Sequence, residues 1–320
     1  MADVDKVAFL FPGQGAQQVG MGRDLYDAHP AAREVYDEAD RILGFSLSRL
    51  CFEGPEETLT DTLNAQPALF TTSMACWRAL EAVAPGAFPA PSFVAGHSLG
   101  EYSALAAAGA LDFAAGLGLV RERGRLMKLA GERSPGGMAA ILGLDDAVVD
   151  EVCQQALNET DGFVQAANYN APGQIVISGD KAALEQAMAV ANDAGARRVV
   201  RLAVSIASHS PLMACIADEF RLAVESTPLR DPAVPVVANV TARPLASVAA
   251  IREEMVGQLT SPVCWVASVQ YILNEGVTTF VELGPGQVLT GLLKRIDRSV
   301  RRVSLSSAMD LQELLRDGWR

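Results

Sequence analysis

The sequence predicts an α/β fold in two parts: a large discontinuous domain on a mostly parallel sheet, and a smaller antiparallel α+β unit inserted into it. Three observations carry that prediction. The continuous apolar run at residues 7–11 has strand length without polar alternation, which suits a strand covered on both faces, and a second apolar run lies within the strand at 92–95. Helical patterns separate such runs over most of the chain, as a parallel sheet requires. Between residues 138 and 204 the order becomes βαββαβ, the split-βαβ ferredoxin-like arrangement, and the earlier alternation then resumes. The large domain is therefore expected over residues 1–134 and 206–320, with the subdomain at 135–205.

Composition bounds the function. The chain has 320 residues, half of them hydrophobic and 20% charged, which is ample for more than one core. A formal charge of −12 argues against a nucleic-acid partner, because such a protein repels phosphate unless it gathers a local basic patch. The five cysteines are scattered, odd in number and without a Cys-x-x-Cys pair, so they read as reduced, buried thiols with no zinc site. The first apolar stretch runs only from Val7 to Phe11 before Pro12-Gly13, too short for a signal peptide. The run at 103–120 is mostly Ala and Gly, contains Asp112 and reads as two buried helices. A cytoplasmic protein without membrane contact is expected, and a monomer.

From the start, the strand at 7–11 ends at Pro12-Gly13-Gln14-Gly15. This turn either points the Gln14 backbone N–H into the crevice at the strand's carboxyl end, where open α/β sheets bind ligands, or is simply tight. Helices follow at about 31–43 and 65–83, the second with Pro67 near its first turn. The strand at 92–95 then enters Gly96-His97-Ser98-Leu99-Gly100, a Gly-x-Ser-x-Gly pattern leading into an alanine-rich helix. That context reads as a nucleophile elbow, and hence the large domain as α/β-hydrolase-like. Gly96 and Gly100 let strand and helix approach closely, Ser98 is displayed at the turn, and the free N–H of Leu99 can donate to an oxyanion.

A helix from about 113 to 130 follows, with Gly116, Leu119, Val120, Leu126, Met127 and Ala130 on one stripe. Arg123 falls on that apolar stripe, whereas Arg121, Arg125 and Lys128 lie opposite. A buried guanidinium needs either a structural carboxylate or an anionic ligand. The inserted unit is read as strands at 138–143, 163–168, 174–179 and 197–204 with helices at 146–157 and 181–194. Its position makes it one wall of a cleft facing Ser98. Beyond it come helices near 210–226, 247–258, 263–274 and 287–296, with strands at 234–240, 278–283 and 301–305.

Only three histidines can serve Ser98 as a base. His29 precedes Pro30 between helices, and the His97 side chain should leave the elbow in another direction. His209, in Ser208-His209-Ser210-Pro211 where the chain leaves the insertion, can reach the cleft from the far side. Its readings are a general base and acid, or a capping or core histidine.

Together, Gly13-Gln14-Gly15-Ala16-Gln17, Gly96-His97-Ser98-Leu99-Gly100-Glu101-Tyr102-Ser103, Arg123-Gly124-Arg125-Leu126-Met127, Asn168-Tyr169-Asn170-Ala171-Pro172-Gly173-Gln174, Ser208-His209 and Glu282-Leu283-Gly284-Pro285-Gly286 resemble the malonyl-CoA:acyl carrier protein transacylases. The matches keep that family's order from near residue 6 to about 296. The resemblance implies an S-malonyltransferase of fatty-acid synthesis that moves malonyl from coenzyme A through a malonyl-serine ester to a phosphopantetheine thiol. Its partners would be malonyl-CoA and an acyl carrier protein, with no cofactor. It implies Ser98 as nucleophile, His209 as base and acid, and the Gln14 and Leu99 N–H groups as oxyanion hole. Arg123 would bind the free malonyl carboxylate, with His97, Asn168 and Asn170 lining the substrate site. A free-standing polyketide acyltransferase shares these motifs, and a serine hydrolase is the rival of another class. The segment Ser261-Pro262-Val263-Cys264-Trp265 matches the stretch whose carbonyls orient the histidine, with Cys264 where relatives often carry Gln or Arg. The stretch ending at Ser208-His209 lacks the bulky aromatic of some polyketide relatives, which implies malonyl preference. The implied carrier protein is acidic, so Arg197, Arg198, Lys294 and Arg295, with Arg298, are the candidate docking rim.

Overall fold

The computed structural model describes residues 6–83 and 89–317. In chain order its strands are β1 (Lys6–Phe11), β2 (Phe93–Gly96), β3 (Gly136–Leu142), β4 (Val164–Ala171), β5 (Gln174–Asp180), β6 (Arg198–Arg201), β7 (Val236–Val237), β8 (Pro244–Leu245), β9 (Val277–Leu283) and β10 (Arg301–Leu305). Six of them form a sheet in the order β10-β9-β1-β2-β7-β8, parallel except for the β7–β8 pair at its edge. The other four form an antiparallel sheet in the order β4-β5-β3-β6.

The apolar run of β1 explains its central place. Val7, Phe9 and Phe11 pack into one core with Val94 and Leu105, while Ala8 and Leu10 pack into another with Phe93, Trp265 and Ile272. Alternate residues thus serve two helical layers, so neither face of the strand can be polar. Phe11 pairs with Gly96, and the loops that follow β1 and β2 therefore emerge side by side at the carboxyl edge.

The antiparallel sheet is two-faced. Ile141, Ile175 and Ile177 pack under the helices Asp146–Glu159 and Lys181–Asp193, whereas Met138 and Val176 join Leu202 and Val204 on the opposite face. That second face looks into the cleft. The sheet is stitched to the rest of the molecule where the Tyr169 N–H donates to the Val263 carbonyl (3.0 Å) and the Val263 N–H to that of Ala167 (2.8 Å).

Four elements differ from their expected form. The helix expected from 65 begins at Thr62, so Pro67 is its sixth residue rather than part of its first turn, and the helix runs on despite the missing N–H. The strand expected at 234–240 is only Val236–Val237, because the chain turns so that Asn239 can bond the elbow. β6 stops at Arg201, and Leu202 to Val204 turn toward the cleft. The helix expected at 210–226 opens as a 3₁₀ turn, Pro211–Ile216, before the α-helix Ala217–Ser226. Short helices Arg23–Ala28, Leu47–Glu53 and Glu56–Thr60, strand β8 and the helix Ala308–Asp317 carry signals too brief for the apolar pattern. Among the described residues, no helix is long and apolar enough to cross a membrane.

Candidate active site

Ser98 sits between β2 and the helix Gly100–Ala107 with φ of 50°, a left-handed conformation that costs a non-glycine residue about 1–3 kcal/mol and must be held by its surroundings. Its neighbours must be glycine: a Cβ on Gly96 would lie 1.9 Å from the Gly100 carbonyl carbon, and one on Gly100 would lie 2.0 Å from the Phe11 carbonyl oxygen. Both peptide groups of Ser98 are fixed by side chains. Its N–H donates to Asn239 Oδ1 at 2.7 Å, and its carbonyl accepts from Gln258 Nε2 at 3.1 Å.

The serine hydroxyl meets His209 across the cleft, Oγ to Nε2 at 2.8 Å. The other ring nitrogen, Nδ1, lies 2.8 Å from the Gln258 carbonyl oxygen. A carbonyl can only accept, so Nδ1 carries the proton and Nε2 offers its lone pair to the serine hydroxyl. Burial, helped by the Arg123 charge, pushes the His209 pKa down to about 3, so the ring is neutral near pH 7. The left-handed backbone at His209, with φ of 58°, is held by Gln165 Nε2 donating to its carbonyl at 2.8 Å. The histidine is therefore oriented by the main chain at Gln258, with Ser261 of the expected stretch as a second main-chain partner, rather than by Cys264. The Cys264 thiol turns toward the Pro262 carbonyl, and it is only half-buried while Cys215 is exposed, so three of the five cysteines, Cys51, Cys76 and Cys153, are buried as expected.

Arg123 is 1% exposed, as its place on the apolar stripe requires, and it has no carboxylate partner among the described residues. Nη1 donates to Gln66 Oε1 at 2.9 Å, and Nη2 donates to Gln258 Oε1 at 3.0 Å and Ser98 Oγ at 3.3 Å. The Tyr102 ring lies beneath its guanidinium, 5.5 Å from centroid to carbon. A buried cation whose contacts are neutral is poised for an anion brought by a ligand.

A cleft of about 400 Å³ joins these groups, and Gln14, His97, Asn168 and Asn170 also line it. His97 Nε2 lies 2.7 Å from Asn170 Oδ1, and the ring packs against Trp265. Burial lowers the His97 pKa, which keeps this ring neutral as well. The loop carrying Gln14 presses on the elbow so closely that a Cβ at Gly13 would come within 2.2 Å of the His97 carbonyl oxygen. Neither the Gln14 nor the Leu99 N–H has an acceptor among the described residues, and both belong to the loops at the carboxyl ends of β1 and β2.

A family of acyl transferase domains matches residues 8–313. The malonyl CoA-acyl carrier protein transacylase of Bacillus subtilis is 46% identical over 303 residues, covering 95% of this chain and 94% of its own. The chain belongs to the malonyl-CoA–acyl carrier protein transacylase family. The crystal structure of the Xanthomonas oryzae pv. oryzae malonyl-CoA:acyl carrier protein transacylase superposes with a TM-score of 0.93, at 44% identity over 98% of this chain and 99% of that one. A malonyl-transacylase solved in complex with its type II polyketide synthase acyl-carrier protein also scores 0.93, at 41% identity over 98% of this chain and 100% of that one.

In this transacylase-family chain the five candidate docking cations, Arg298 included, are all exposed. Arg295 is also a tie: Nη1 donates to Gln174 Oε1 at 2.7 Å and Nη2 to the Pro172 carbonyl at 2.9 Å, joining the helix Val288–Ile296 to the β4–β5 turn. That turn meets Gly143, against which Arg197 packs, so Arg295 and Arg197 flank one stretch of surface. Sequence reasoning missed Gln66, Asn239 and Gln258, and gave Glu101 no role although its motif was quoted. Their signals were a glutamine in an apolar helix, an asparagine at a strand's carboxyl end, the last residue of a predicted helix and a carboxylate in an alanine-rich run.

Proposed function

We propose that this chain transfers a malonyl group from coenzyme A to the phosphopantetheine thiol of an acyl carrier protein through an ester on Ser98. The observation that carries the reading is the convergence of a serine–histidine pair and a buried, carboxylate-free guanidinium on one hydroxyl. His209 Nε2 takes the Ser98 proton as Oγ attacks the thioester carbonyl, and the imidazolium returns it to the departing coenzyme A sulfur. The same steps then run with the carrier thiol as attacker: His209 takes the thiol proton and returns it to Ser98 when the ester breaks. The Gln14 and Leu99 N–H groups receive the oxyanion, each worth about 3 kcal/mol of barrier.

Arg123 takes the free malonyl carboxylate in this reading. Acetyl-CoA would leave the guanidinium without its anion, so the same cation that binds malonyl also selects it. His97 and Asn170, joined to each other, with Asn168 beside them, form the wall against which the thioester arm lies. Lys294, Arg295, Arg197 and Arg198 form the rim for an acidic carrier. The carrier belongs to fatty-acid synthesis in our reading; the polyketide complex of a relative concerns a carrier of the other pathway with the same arm.

The architecture is read as an α/β-hydrolase-like domain of residues 1–134 and 206–320 with a ferredoxin-like subdomain at 135–205. An elbow between a parallel strand and a helix supports the first part, and two helices on one face of the β4-β5-β3-β6 sheet support the second.

Intact-mass spectrometry after mixing with malonyl-CoA tests the function. A malonyl adduct that Ser98→Ala abolishes, and that carrier protein discharges faster than water, is the expected result. Rapid discharge by water would give the activity to a hydrolase instead.

A further inference from the structure

One carboxyl buried directly behind Ser98 has no part in the proposed reaction. Glu101, fully buried in the first turn of the elbow helix, touches neither the cleft nor the serine hydroxyl. Its Oε1 accepts from the Asn239 backbone N–H and from Asn239 Nδ2, both at 2.8 Å, and its Oε2 accepts from Gln258 Nε2 at 2.5 Å. The two amides that it engages are those that hold the peptide groups of Ser98, and one of them also contacts Arg123.

We propose that Glu101 is a positioning residue that sets the polarity of the Asn239 and Gln258 amides, and thereby the backbone of Ser98 and the direction of Arg123. The argument is one of donors and acceptors. A side-chain amide has one accepting and one donating end, and either can face a given neighbour. Glu101 accepts from both amides, which turns both NH₂ groups toward it. Asn239 is then left with Oδ1 facing the Ser98 N–H, and Gln258 with Oε1 facing Arg123 Nη2. Reversing Gln258 would place an NH₂ group against the guanidinium and leave the Ser98 carbonyl facing an oxygen. Each alternative strands a buried polar group.

The second buried carboxyl, Glu254, fits the same scheme. It accepts from the Val240 N–H at 2.8 Å and lies against Glu101. Burial raises the pKa of both groups, Glu101 well above its usual value. Three N–H donors converge on Glu101, so a proton shared with Glu254 would lie on the side away from the amides. Glu101 therefore presents only accepting oxygens to the amides.

This inference rests on the proposed malonyl transfer, and its test separates the two. Glu101→Gln keeps the shape but supplies one accepting oxygen where the two amides need two. Loading rates with malonyl-CoA and acetyl-CoA are compared for the wild type, Glu101→Gln, Arg123→Ala and the double variant. Glu101→Gln should lower malonyl kcat/KM by about tenfold and also lower the malonyl-to-acetyl ratio, because a misdirected Arg123 harms only the substrate that carries a carboxylate. In the Arg123→Ala background the same change should leave that ratio unmoved, whereas a merely structural glutamate would act alike in both backgrounds. Gln258→Met, which removes the amide and keeps the carbonyl on His209, should reproduce the fall in the ratio and serves if Glu101→Gln does not fold. An unchanged malonyl-to-acetyl ratio in either folded variant overturns the inference. A wild type that forms no malonyl adduct overturns the reading beneath it instead.

Discussion

His209 Nδ1 is 2.8 Å from the main-chain oxygen of Gln258, and that bond rather than a carboxylate sets which ring nitrogen faces the serine. A carbonyl accepts a proton bond without offering the negative charge that would stabilise an imidazolium. The ring therefore stays neutral, as the proposed reaction requires of a base for Ser98. It follows that the base should be available over a wide pH range. With its pKa pushed down to about 3, His209 adds no inflection near its ordinary value of about 6.5 to the rate of Ser98 malonylation. Rapid-quench loading between pH 5 and 8 checks this, and a midpoint near 6.5 would contradict it. The stability consequence has a definite sign. Between pH of about 3 and about 6.5 the unfolded chain binds a proton at His209 that the folded chain does not, so this residue contributes a loss of stability as pH falls through that window.

Replacing Arg123 by Ala should cost malonyl loading about 2–4 kcal/mol, the scale of a charge-assisted pair lost from a buried site. Acetyl loading should fall far less, since an acetyl group brings no charge to the cleft. The measurement is kcat/KM for both thioesters on one preparation. Equal losses would remove Arg123 from contact with the acyl group.

Much of this site is legible in the sequence because its parts obey local rules. The elbow is announced by Gly96 and Gly100, which need no partner to reveal their steric demand, and Arg123 by a period of 3.6 that places a cation on an apolar stripe. His209 emerges by counting. What escaped is the layer that holds these groups, Gln66, Asn239 and Gln258, since a neutral amide fits a surface as readily as a core and only its distant partners give it meaning. The same reason cut β7 short: apolar pattern extends the strand to 240, but the side chain of Asn239 is worth more turned toward the elbow.

Gly100→Ala tests how closely the elbow is packed. The added Cβ would lie 2.0 Å from the Phe11 carbonyl oxygen, on the central strand, where nothing can retreat without breaking the β1–β2 pairing. The expected loss exceeds about 4 kcal/mol, enough to leave little folded protein. Gly118→Ala is the control, because its Cβ would meet nothing within 4 Å, and its melting temperature should hold or rise slightly as a helical glycine is replaced. Similar melting temperatures for the two variants would show that the elbow can relax.

Asn170→Ala removes the acceptor held 2.7 Å from His97 Nε2 and leaves that partly buried nitrogen without its partner. The cost should be about 1–3 kcal/mol, divided between stability and the binding of the thioester arm. A raised KM for malonyl-CoA with little change in kcat is the expected pattern, because neither side chain bonds the Ser98 hydroxyl or the His209 ring. A fall in kcat at constant KM would move His97 from the wall of the cleft to the chemistry itself.

Lys294 and Arg295 should not behave alike, although they are adjacent and both exposed. Arg295 is engaged with Gln174 and the Pro172 carbonyl, so Arg295→Glu both reverses a surface charge and cuts the tie between the helix Val288–Ile296 and the turn beside the cleft. That substitution is expected to slow coenzyme A loading and carrier-protein transfer together. Lys294→Glu changes only the field at the rim, so it should weaken the carrier half-reaction and leave loading intact, with an effect that shrinks as ionic strength rises and the Debye length falls. Single-turnover rates for each half-reaction at about 0.05 and 0.5 M salt, which bracket Debye lengths of about 14 and 4 Å, separate the two. Loss of loading in Lys294→Glu, or a transfer defect that salt does not diminish, would remove this face from carrier recognition.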